Sequence, residues 1–251
     1  MVRSSILAAL ADLVLPRGCG GCDDAVNARA VCPSCFAVLA EPPGPARPEP
    51  APPGLPPCLA GGEYAGARRE LILAYKEHGR RDLAAPLGAV LARAVGAGWV
   101  APAPVAVVPI PATAAAIRAR HGDHMLRLAR IAARDLRAAG IPAGVAPALR
   151  ARPKADSAHL DRAARAAAAR SAFRVRPERV GPLRDLADRG LIVLVDDVLT
   201  TGATLAAAAG RLVAAGVPVA YAATLAATRL RQGHSTPTTR YLWPNKPNGR
   251  I

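Results

Sequence analysis

An uninterrupted run at residues 191–205, LIVLVDDVLTTGATL, constrains the fold of this chain more than any other segment. Its first five residues carry no polar side chain, which predicts a strand that is buried on both faces, as in parallel α/β sheets. Asp196 and Asp197 follow at the end of this strand, and adjacent carboxylates must face an open crevice, a cation or hydrogen-bond donors. In open α/β sheets that crevice lies at the carboxyl ends of the strands. The run therefore predicts a ligand site at this edge of a parallel sheet.

The next five residues, Thr200, Thr201, Gly202, Ala203 and Thr204, predict a phosphate-binding turn that leads into a helix. Gly202 allows a tight turn and a close approach of the backbone to a ligand. Free amides and the dipole at a helix N-terminus favour an anion, and the threonine hydroxyls add donors or cap the helix. An acidic pair for hydroxyls and a donor-rich turn for phosphate suit a ribose 5-phosphate. The alternative is an ordinary strand-to-helix turn with a capping threonine.

Strands and helices alternate along the chain, which predicts an α/β fold with a parallel sheet flanked by helices. Short apolar runs indicate buried strands, and segments with apolar residues at helical spacing indicate helices. The expected helices are 68–74, 83–95, 125–139 and 203–215, and the expected strands are 105–110, 192–195 and 217–225.

Changes in composition predict four parts. We expect a short helix and a cysteine module at residues 1–40, a Pro-rich linker at 41–57, the α/β domain at 58–232 and a flexible tail at 233–251. The linker is expected to be extended rather than packed. The spacing of apolar residues before residue 15 favours an amphipathic helix over a signal peptide, and no apolar run reaches the ~20 residues that span a bilayer. We therefore expect a cytoplasmic protein without a membrane span.

Four cysteines predict a closed metal site. Cys19 and Cys22 form one CxxC pair, and Cys32 and Cys35 form a second pair after nine intervening residues. Four thiolates suit structural zinc and leave no open position for catalysis. The alternatives are a disulfide, which the cytosol disfavours, and an iron–sulfur cluster, for which the spacing does not argue. So small a segment has no core of its own, so zinc would supply its folding energy.

The basic composition has two interpretations. The formal net charge is +15, with 33 lysines and arginines against 18 acidic residues, and the arginines are spread along the chain. This charge indicates either affinity for polyanions or a general drift towards Ala, Arg, Gly and Pro. A basic face that would meet either nucleic acid or solvent is formed by Lys154, Arg162, Arg165 and Arg170. Aromatic residues make up only 3%, which argues against a base-stacking platform for single strands.

The run 191–205 closely resembles the phosphoribosyl pyrophosphate (PRPP) signature of type I phosphoribosyltransferases. The resemblance implies that Asp196 and Asp197 are catalytic residues that bind the ribose 2- and 3-hydroxyls. It also implies that the turn from Thr200 to Thr204 holds the 5-phosphate, and that Mg²⁺ bridges the pyrophosphate and the hydroxyls.

Other segments resemble the ComF family of competence proteins, in which a cysteine-rich zinc module typically precedes a phosphoribosyltransferase domain. The similar segments are YAGAR at 64–68, LILAYK at 71–76 with Gly79, VVPIP at 107–111, RARHG at 118–122, and the stretch from Asp156-Ser157 to Ala172-Phe173. The chain differs at Asp123-His124, where the family has Asn-Gln.

Lys76, Arg118 and Arg120 are candidates for binding pyrophosphate, because a guanidinium presents a forked set of donors to phosphate oxygens. The alternative is that they are exposed basic residues of helices. By composition, His121 and His124 with Asp123 resemble a metal or acid–base cluster. The other interpretation is a solvated helix start, where Asp123 is favourable at the positive end of the dipole.

Two functions from different classes follow. One is a PRPP-binding phosphoribosyltransferase, a glycosyltransferase that moves the phosphoribosyl group to an unknown nucleophile and releases pyrophosphate. The other is a non-catalytic accessory factor in DNA uptake and natural transformation, in which PRPP or a nucleotide acts as a ligand switch. Its partners would be single-stranded DNA or proteins of the competence machinery. A third hypothesis is a nucleotide-responsive interaction protein in which zinc contacts a partner.

Overall fold

The computed structural model of the chain describes residues 18–24, 30–120, 122–152 and 172–228. The predicted N-terminal helix, the predicted tail and His121 lie outside the described residues. So do the four basic residues Lys154, Arg162, Arg165 and Arg170. No helix in the described part of the chain is both long and apolar enough to cross a membrane.

Helices and strands alternate along the described residues. The α-helices are α1 (Pro33–Ala40), α2 (Gly66–Glu77), α3 (Ala84–Ala97), α4 (Ala114–Ala119), α5 (His124–Ala138), α6 (Pro177–Ala187) and α7 (Ala203–Ala214), with a 3-10 helix at Arg81–Leu83. The strands are β1 (Gly44–Pro45), β2 (Cys58–Ala60), β3 (Val105–Pro109), β4 (Ala143–Val145), β5 (Leu149–Ala151), β6 (Phe173–Val175), β7 (Leu191–Leu199) and β8 (Tyr221–Ala227).

Six of these strands form one sheet, in the order β1-β2-β8-β7-β3-β4. All neighbouring pairs are parallel except β1 and β2, which are antiparallel. At the centre, Val105 of β3 pairs with Leu191 of β7, and Val193 of β7 pairs with Tyr221 of β8. Strands β5 and β6 form a separate antiparallel pair. This confirms the predicted α/β fold with a mostly parallel sheet flanked by helices.

Alternate residues of β7 face two different cores. Val193 and Val195 belong to a core that includes buried residues of α2, α3 and α5, whereas Ile192 and Leu194 belong to a core that includes α6 and α7. We call these the α5 face and the α7 face of the sheet. Burial on both faces explains why the strand reads as a continuous apolar run.

The four-cysteine module packs directly on the α5 face. Cys19, Cys32 and Cys35 share the apolar core of α2 and α3. Arg68 of α2 is only 1% exposed and donates hydrogen bonds to the Val38 carbonyl and to Glu41, 2.7 Å from its Oε2. These contacts attach the module to α2 through buried apolar and polar groups.

The Pro-rich segment lies against the sheet rather than free of it. Strand β1 falls inside this segment, and the Ala46 amide donates to the Cys58 carbonyl at 2.9 Å. Ala46 and Pro48 are buried. The segment is therefore extended but packed, because the edge strand β2 offers it an unpaired row of backbone groups. The division into module, linker, domain and tail stays a prediction.

Candidate functional site

The acidic pair lies in the part of β7 that extends beyond the end of its neighbour β3. The last pair between the two strands joins Pro109 to Val195, whereas pairing with β8 continues to Leu199. We expected the strand to end at Val195; it continues because β8 provides backbone partners up to Ala227. Asp196 and Asp197 thus stand beyond the end of β3, at an open edge of the sheet.

Asp197 is held by two basic side chains on the α5 face. Its Oδ2 lies 2.6 Å from Nζ of Lys76 and 3.6 Å from Nε2 of His124, and its Oδ1 accepts a hydrogen bond from the Val198 amide at 2.7 Å. Burial alone would raise the pKa of Asp197, but hydrogen bonding from His124 and the charge of Lys76 outweigh burial and lower it below the usual carboxyl range. Asp197 is therefore a carboxylate at neutral pH.

Asp196 has the opposite electrostatic character. Successive residues of a strand point to opposite faces, so Asp196 follows Ile192 and Leu194 towards the α7 face. Its Oδ1 accepts a hydrogen bond from the Asp197 amide at 2.9 Å. Burial, followed by the negative charge of Asp197, raises the pKa of Asp196. The two acids therefore differ strongly in proton affinity, as expected when adjacent carboxyl groups share one site.

The turn between β7 and α7 offers exposed donors. Gly202 precedes the first residue of α7 with φ +75°, and the helix has no side-chain cap there. Thr201 instead accepts a weak hydrogen bond from the Ala203 amide at 3.4 Å. Thr200, Thr201, Ala203 and Thr204 are exposed. Because the first amides of a helix lack intrahelical partners, the turn is suited to an anion.

Gly202 itself is buried under the Pro-rich segment. A Cβ at this position would lie 3.0 Å from the Leu55 side chain and 3.1 Å from Pro48. Both the left-handed backbone and this close contact require glycine. The Pro-rich segment thus packs against the turn at Gly202.

A basic pocket of about 310 Å³ opens beside Asp197 on the α5 face. It lies between the end of α2 and the junction of α4 with α5. Its lining residues are Tyr75, Lys76, Glu77, Gly79, Arg81, Ala119, Arg120, Gly122, His124 and Arg127. We refer to it below as the basic pocket.

The structure brings together two of the three residues that we predicted to bind pyrophosphate. Lys76 and Arg120 line the basic pocket, where Arg120 donates to both carboxylate oxygens of Glu77, at 2.9 and 3.1 Å. Arg118 is exposed on α4 and is not among the lining residues. Burial would lower the pKa of Lys76, but the charge of Asp197 more than compensates and raises it. Lys76 is therefore a stable ammonium group.

Sequence reasoning missed Arg127 and Tyr75 as lining residues. His124 and Arg127 are three residues apart on α5, a spacing that places both side chains on one face of a helix and could have identified Arg127. Asp123 accepts a hydrogen bond from the Leu126 amide at 3.0 Å and so caps α5. This cap agrees with the interpretation of Asp123 as a helix start. The other interpretation, a metal or acid–base cluster of His121, His124 and Asp123, stays a prediction, because His121 lies outside the described residues; the acid that His124 approaches is Asp197, at 3.6 Å.

The four cysteines form a compact cluster that fits a tetrahedral metal site. The Sγ atoms of Cys19, Cys22, Cys32 and Cys35 all lie within 4.8 Å of one another, and those of Cys22 and Cys32 are 3.6 Å apart. Zn–S bonds of about 2.3 Å in a tetrahedron give S–S separations of about 3.8 Å. The cluster could therefore hold a structural metal such as zinc.

Backbone amides prepare this cluster for a cation. The Cys32 amide donates to Sγ of Cys19 at 3.2 Å, and the Gly21 amide donates to it at 3.4 Å. Burial by itself raises the pKa of Cys19, but these amides outweigh it and lower the pKa to about 7. A thiolate is the form that binds metal, and Cys19 is close to that form near neutral pH, whereas the pKa of Cys22 is raised to about 11 and burial raises the pKa of Cys35.

Comparison with models of known protein families gives no match to this chain, and comparison with curated protein sequences gives none either.

Proposed function

We propose that this chain is a PRPP-binding, phosphoribosyltransferase-like protein of the ComF type. The observation that carries the proposal is the placement of the acidic pair between two regions suited to anions. The exposed turn from Thr200 to Thr204 begins α7 on one face of the sheet, and the basic pocket lies on the other face. PRPP has a phosphate at C5, a diphosphate at C1 and two hydroxyls between them, so its charge distribution matches this order.

In this proposal each group of PRPP has a partner. The 5-phosphate binds the amides and hydroxyls of the turn, because the helix dipole and the exposed donors favour an anion there. Asp197 is a carboxylate and Asp196 has a raised pKa, so the pair can both accept and donate hydrogen bonds to the ribose hydroxyls. Lys76 and Arg120 face the diphosphate from the basic pocket.

The transfer step would break the bond between C1 and the diphosphate oxygen through an oxocarbenium-like state. The bonding electrons leave with pyrophosphate, which Lys76 and Arg120 stabilise electrostatically, and the lone pair of an acceptor forms the new bond to C1. Magnesium, when bound, would neutralise charge on the diphosphate. His124 lies 3.6 Å from Asp197, but among the described residues it does not form with the acidic pair a cluster of the kind that could hold a metal ion, so a magnesium ion there would depend on oxygens of the ligand and of water.

A second candidate function is the non-catalytic ligand switch, in an accessory role in DNA uptake. The observation that favours it is that both oxygens of Asp197 are already engaged, by Lys76 and by the Val198 amide. A ligand that takes the ribose position must therefore draw Lys76 away from Asp197. Because Lys76 lies in the last turn of α2, which packs on the four-cysteine module, such a ligand could alter the surface that the module offers to single-stranded DNA or to a competence protein.

Calorimetric titration of the zinc-loaded chain with PRPP, with and without Mg²⁺, tests both functions. We expect wild type to bind and the variant Asp196→Asn with Asp197→Asn to lose at least about tenfold in affinity. The matched control is Asp185→Asn with Asp188→Asn, which makes the same charge change at exposed positions in and after α6. If PRPP does not bind to the wild-type protein, both proposed functions are wrong.

A measurement of pyrophosphate release distinguishes the transferase from the non-catalytic ligand switch. Release in the presence of any candidate acceptor supports the transferase, whereas saturable PRPP binding without release across a panel of nucleobases and amines supports the switch.

A further inference from the structure

We infer that Leu55 and Pro48 of the Pro-rich segment are positioning residues for the turn between β7 and α7. They hold Gly202 in its left-handed conformation, at φ +75°, and so keep the first amides of α7 oriented towards an anion. The inference rests on the proposed function only for the identity of the bound group. Neither residue belongs to a segment that resembles the ComF family, so the resemblance assigns them no role.

The turn lacks the local contacts that usually fix the start of a helix. Most helices begin at a residue whose side chain accepts a hydrogen bond from one of the first amides. Here that position is occupied by Gly202, and the hydrogen bond from the Ala203 amide to Thr201 is long, at 3.4 Å. Glycine also adopts right-handed, left-handed and extended conformations at little cost. Local interactions therefore leave the conformation of this turn undetermined.

The Pro-rich segment supplies the contacts that the turn itself lacks. A Cβ on Gly202 would lie 3.0 Å from Cδ2 of Leu55 and 3.1 Å from Cγ of Pro48, so both side chains lie directly against the glycine. Leu55 also packs on the core of the α7 face, which includes Leu205 from the first turn of α7. A shift of the turn towards these side chains meets steric repulsion, and a shift away from them leaves a gap. The contacts therefore favour one position of the turn.

Hydrogen bonds attach the Pro-rich segment to the sheet on both sides of the positioning residues. Before them, β1 pairs with β2, and the Ala46 amide donates to the Cys58 carbonyl at 2.9 Å. After them, the Pro57 carbonyl accepts a hydrogen bond from the Ala222 amide of β8 at 2.8 Å. Because β8 also pairs with β7, the segment is fixed to the same sheet that carries the turn.

A fixed turn increases the affinity for an anion. A turn that samples several conformations binds only in the competent one, and its apparent affinity falls in proportion to the competent fraction. Replacing Leu55 with alanine removes the contact with Gly202 and leaves every donor of the turn in place. We therefore expect a partial loss of affinity, of about three- to tenfold, rather than the complete loss that removal of a ligand group would cause.

Ribose 5-phosphate is the probe, because it carries the phosphate and the hydroxyls without the diphosphate. Calorimetry on the zinc-loaded full chain should show binding that Leu55→Ala weakens about three- to tenfold and that Leu55→Met, which keeps the side-chain volume, restores. Leu186→Ala is the matched control, because Leu186 is a partly buried leucine that packs on the same core and lies against Gly190. Pro48→Ala, which should also weaken binding, is a second variant in case Leu55→Ala fails to fold. Equal affinities of wild type and both segment variants, or an equal loss in Leu186→Ala, would overturn the inference.

Amide hydrogen exchange without ligand separates this inference from the proposed function. The reporter is the Ala206 amide, which donates to the Gly202 carbonyl at 2.9 Å. Leu55→Ala should speed its exchange, and Leu186→Ala should leave it unchanged. A wild-type protein that binds neither PRPP nor ribose 5-phosphate would refute the proposed function, and faster exchange at Ala206 would then still support the positioning role. PRPP binding by wild type, together with unchanged exchange and affinity in Leu55→Ala, would refute the positioning role alone.

Discussion

Replacing Lys76 with methionine removes the ammonium group that lies 2.6 Å from Asp197 and keeps most of the apolar stem. Asp197 would then be a largely buried carboxylate with only His124 as a basic neighbour. Asp197→Asn removes the other partner, and the double variant completes a cycle that isolates the coupling between the two side chains.

The structure sets the size of this coupling. Two unit charges 2.6 Å apart interact with about 6 kcal/mol at an effective dielectric constant of 20. Ordering a lysine side chain costs up to about 2 kcal/mol, and both groups lose hydration on burial. Lys76 keeps 30% of its side chain exposed, which screens the pair further. We therefore expect a net coupling of about 2–3 kcal/mol, within the range for hydrogen bonds to charged groups.

Urea denaturation of the zinc-loaded protein at pH 7 measures the four free energies of unfolding. The matched control is the cycle of Glu77→Gln with Arg120→Gln, whose side chains are 45% and 26% exposed. This more exposed pair is expected to couple by only about 0.2–1 kcal/mol. A Lys76–Asp197 coupling no larger than that of the control would refute the view that the acid is held by Lys76.

The pH dependence gives an independent check. The folded pKa of Asp197 is lowered, so the stabilisation is complete above the unfolded pKa of about 4 and is lost as the pH falls through the folded pKa. The folded pKa of Lys76 is raised, so its contribution is complete below about pH 10 and is lost as the pH rises through the folded pKa. The coupling should be constant from pH 5 to about 9 and smaller at pH 3; a coupling that grows at pH 3 would contradict this assignment.

Three further predictions concern the acid, the turn and the metal. Asp196→Asn should raise the free energy of unfolding at pH 7 by about 1–2 kcal/mol, because the raised pKa of Asp196 means that the folded state resists ionisation of this carboxyl group. This gain in stability should vanish near pH 4, and a lower free energy of unfolding at pH 7 would contradict the prediction. Gly202→Ala should lower the free energy of unfolding in urea by about 1–2 kcal/mol, because φ is +75° and Leu55 lies close, whereas Gly210→Ala should not. Chelation of the metal should speed amide hydrogen exchange around Leu71 and Leu83, which pack on the cysteine module, and unchanged exchange would show that the module folds without metal.

Several elements could be predicted from the sequence because local pattern and tertiary environment agree. The strand at 105–110 and the helix at 203–215 match Val105–Pro109 and Ala203–Ala214 within one residue. Strand β3 is buried along its whole length, so its apolar run ends close to where the strand ends. The four-cysteine cluster could also be predicted from its two CxxC pairs, since two short knuckles can bring four thiols together without help from distant residues.

Other boundaries depended on partners that the local pattern does not reveal. The run from Val217 predicted a strand, but β8 begins only at Tyr221, because residues 217–220 connect α7 to the sheet; Val217 is buried in the core of the α7 face, whereas Pro218 is exposed. Strand β7 continues through two acids, against its apolar pattern, because β8 pairs with it as far as Leu199. The helix predicted at 68–74 extends to Glu77. The additional turn, which the prediction missed, carries Lys76, the residue that pairs with Asp197.

Only one part of the candidate site, the acidic pair with the turn that follows it, could be predicted from the sequence. The turn after β7 is contiguous with the acids in sequence, so one segment contains the acidic pair and the donors. The basic pocket, in contrast, combines the end of α2 with the start of α5, and His124 lies 48 residues after Lys76. No periodicity within either helix indicates this meeting, because it depends on both helices packing against the same face of the sheet.

Helix α2 connects the four-cysteine cluster to the acidic pair through its opposite ends. Its first turns contact the cysteine module through Arg68 and Leu71, and its last turn places Lys76 on Asp197. A helix of 12 residues is too short to bend appreciably, so a shift at one end moves the other. Metal bound by the cysteines would therefore stabilise the position from which Lys76 reaches Asp197, and a ligand that displaces Lys76 would act on the module in return. The four cysteines and Asp197 thus contact opposite ends of one helix, so metal bound at one end and a ligand bound at the other would act on the same element.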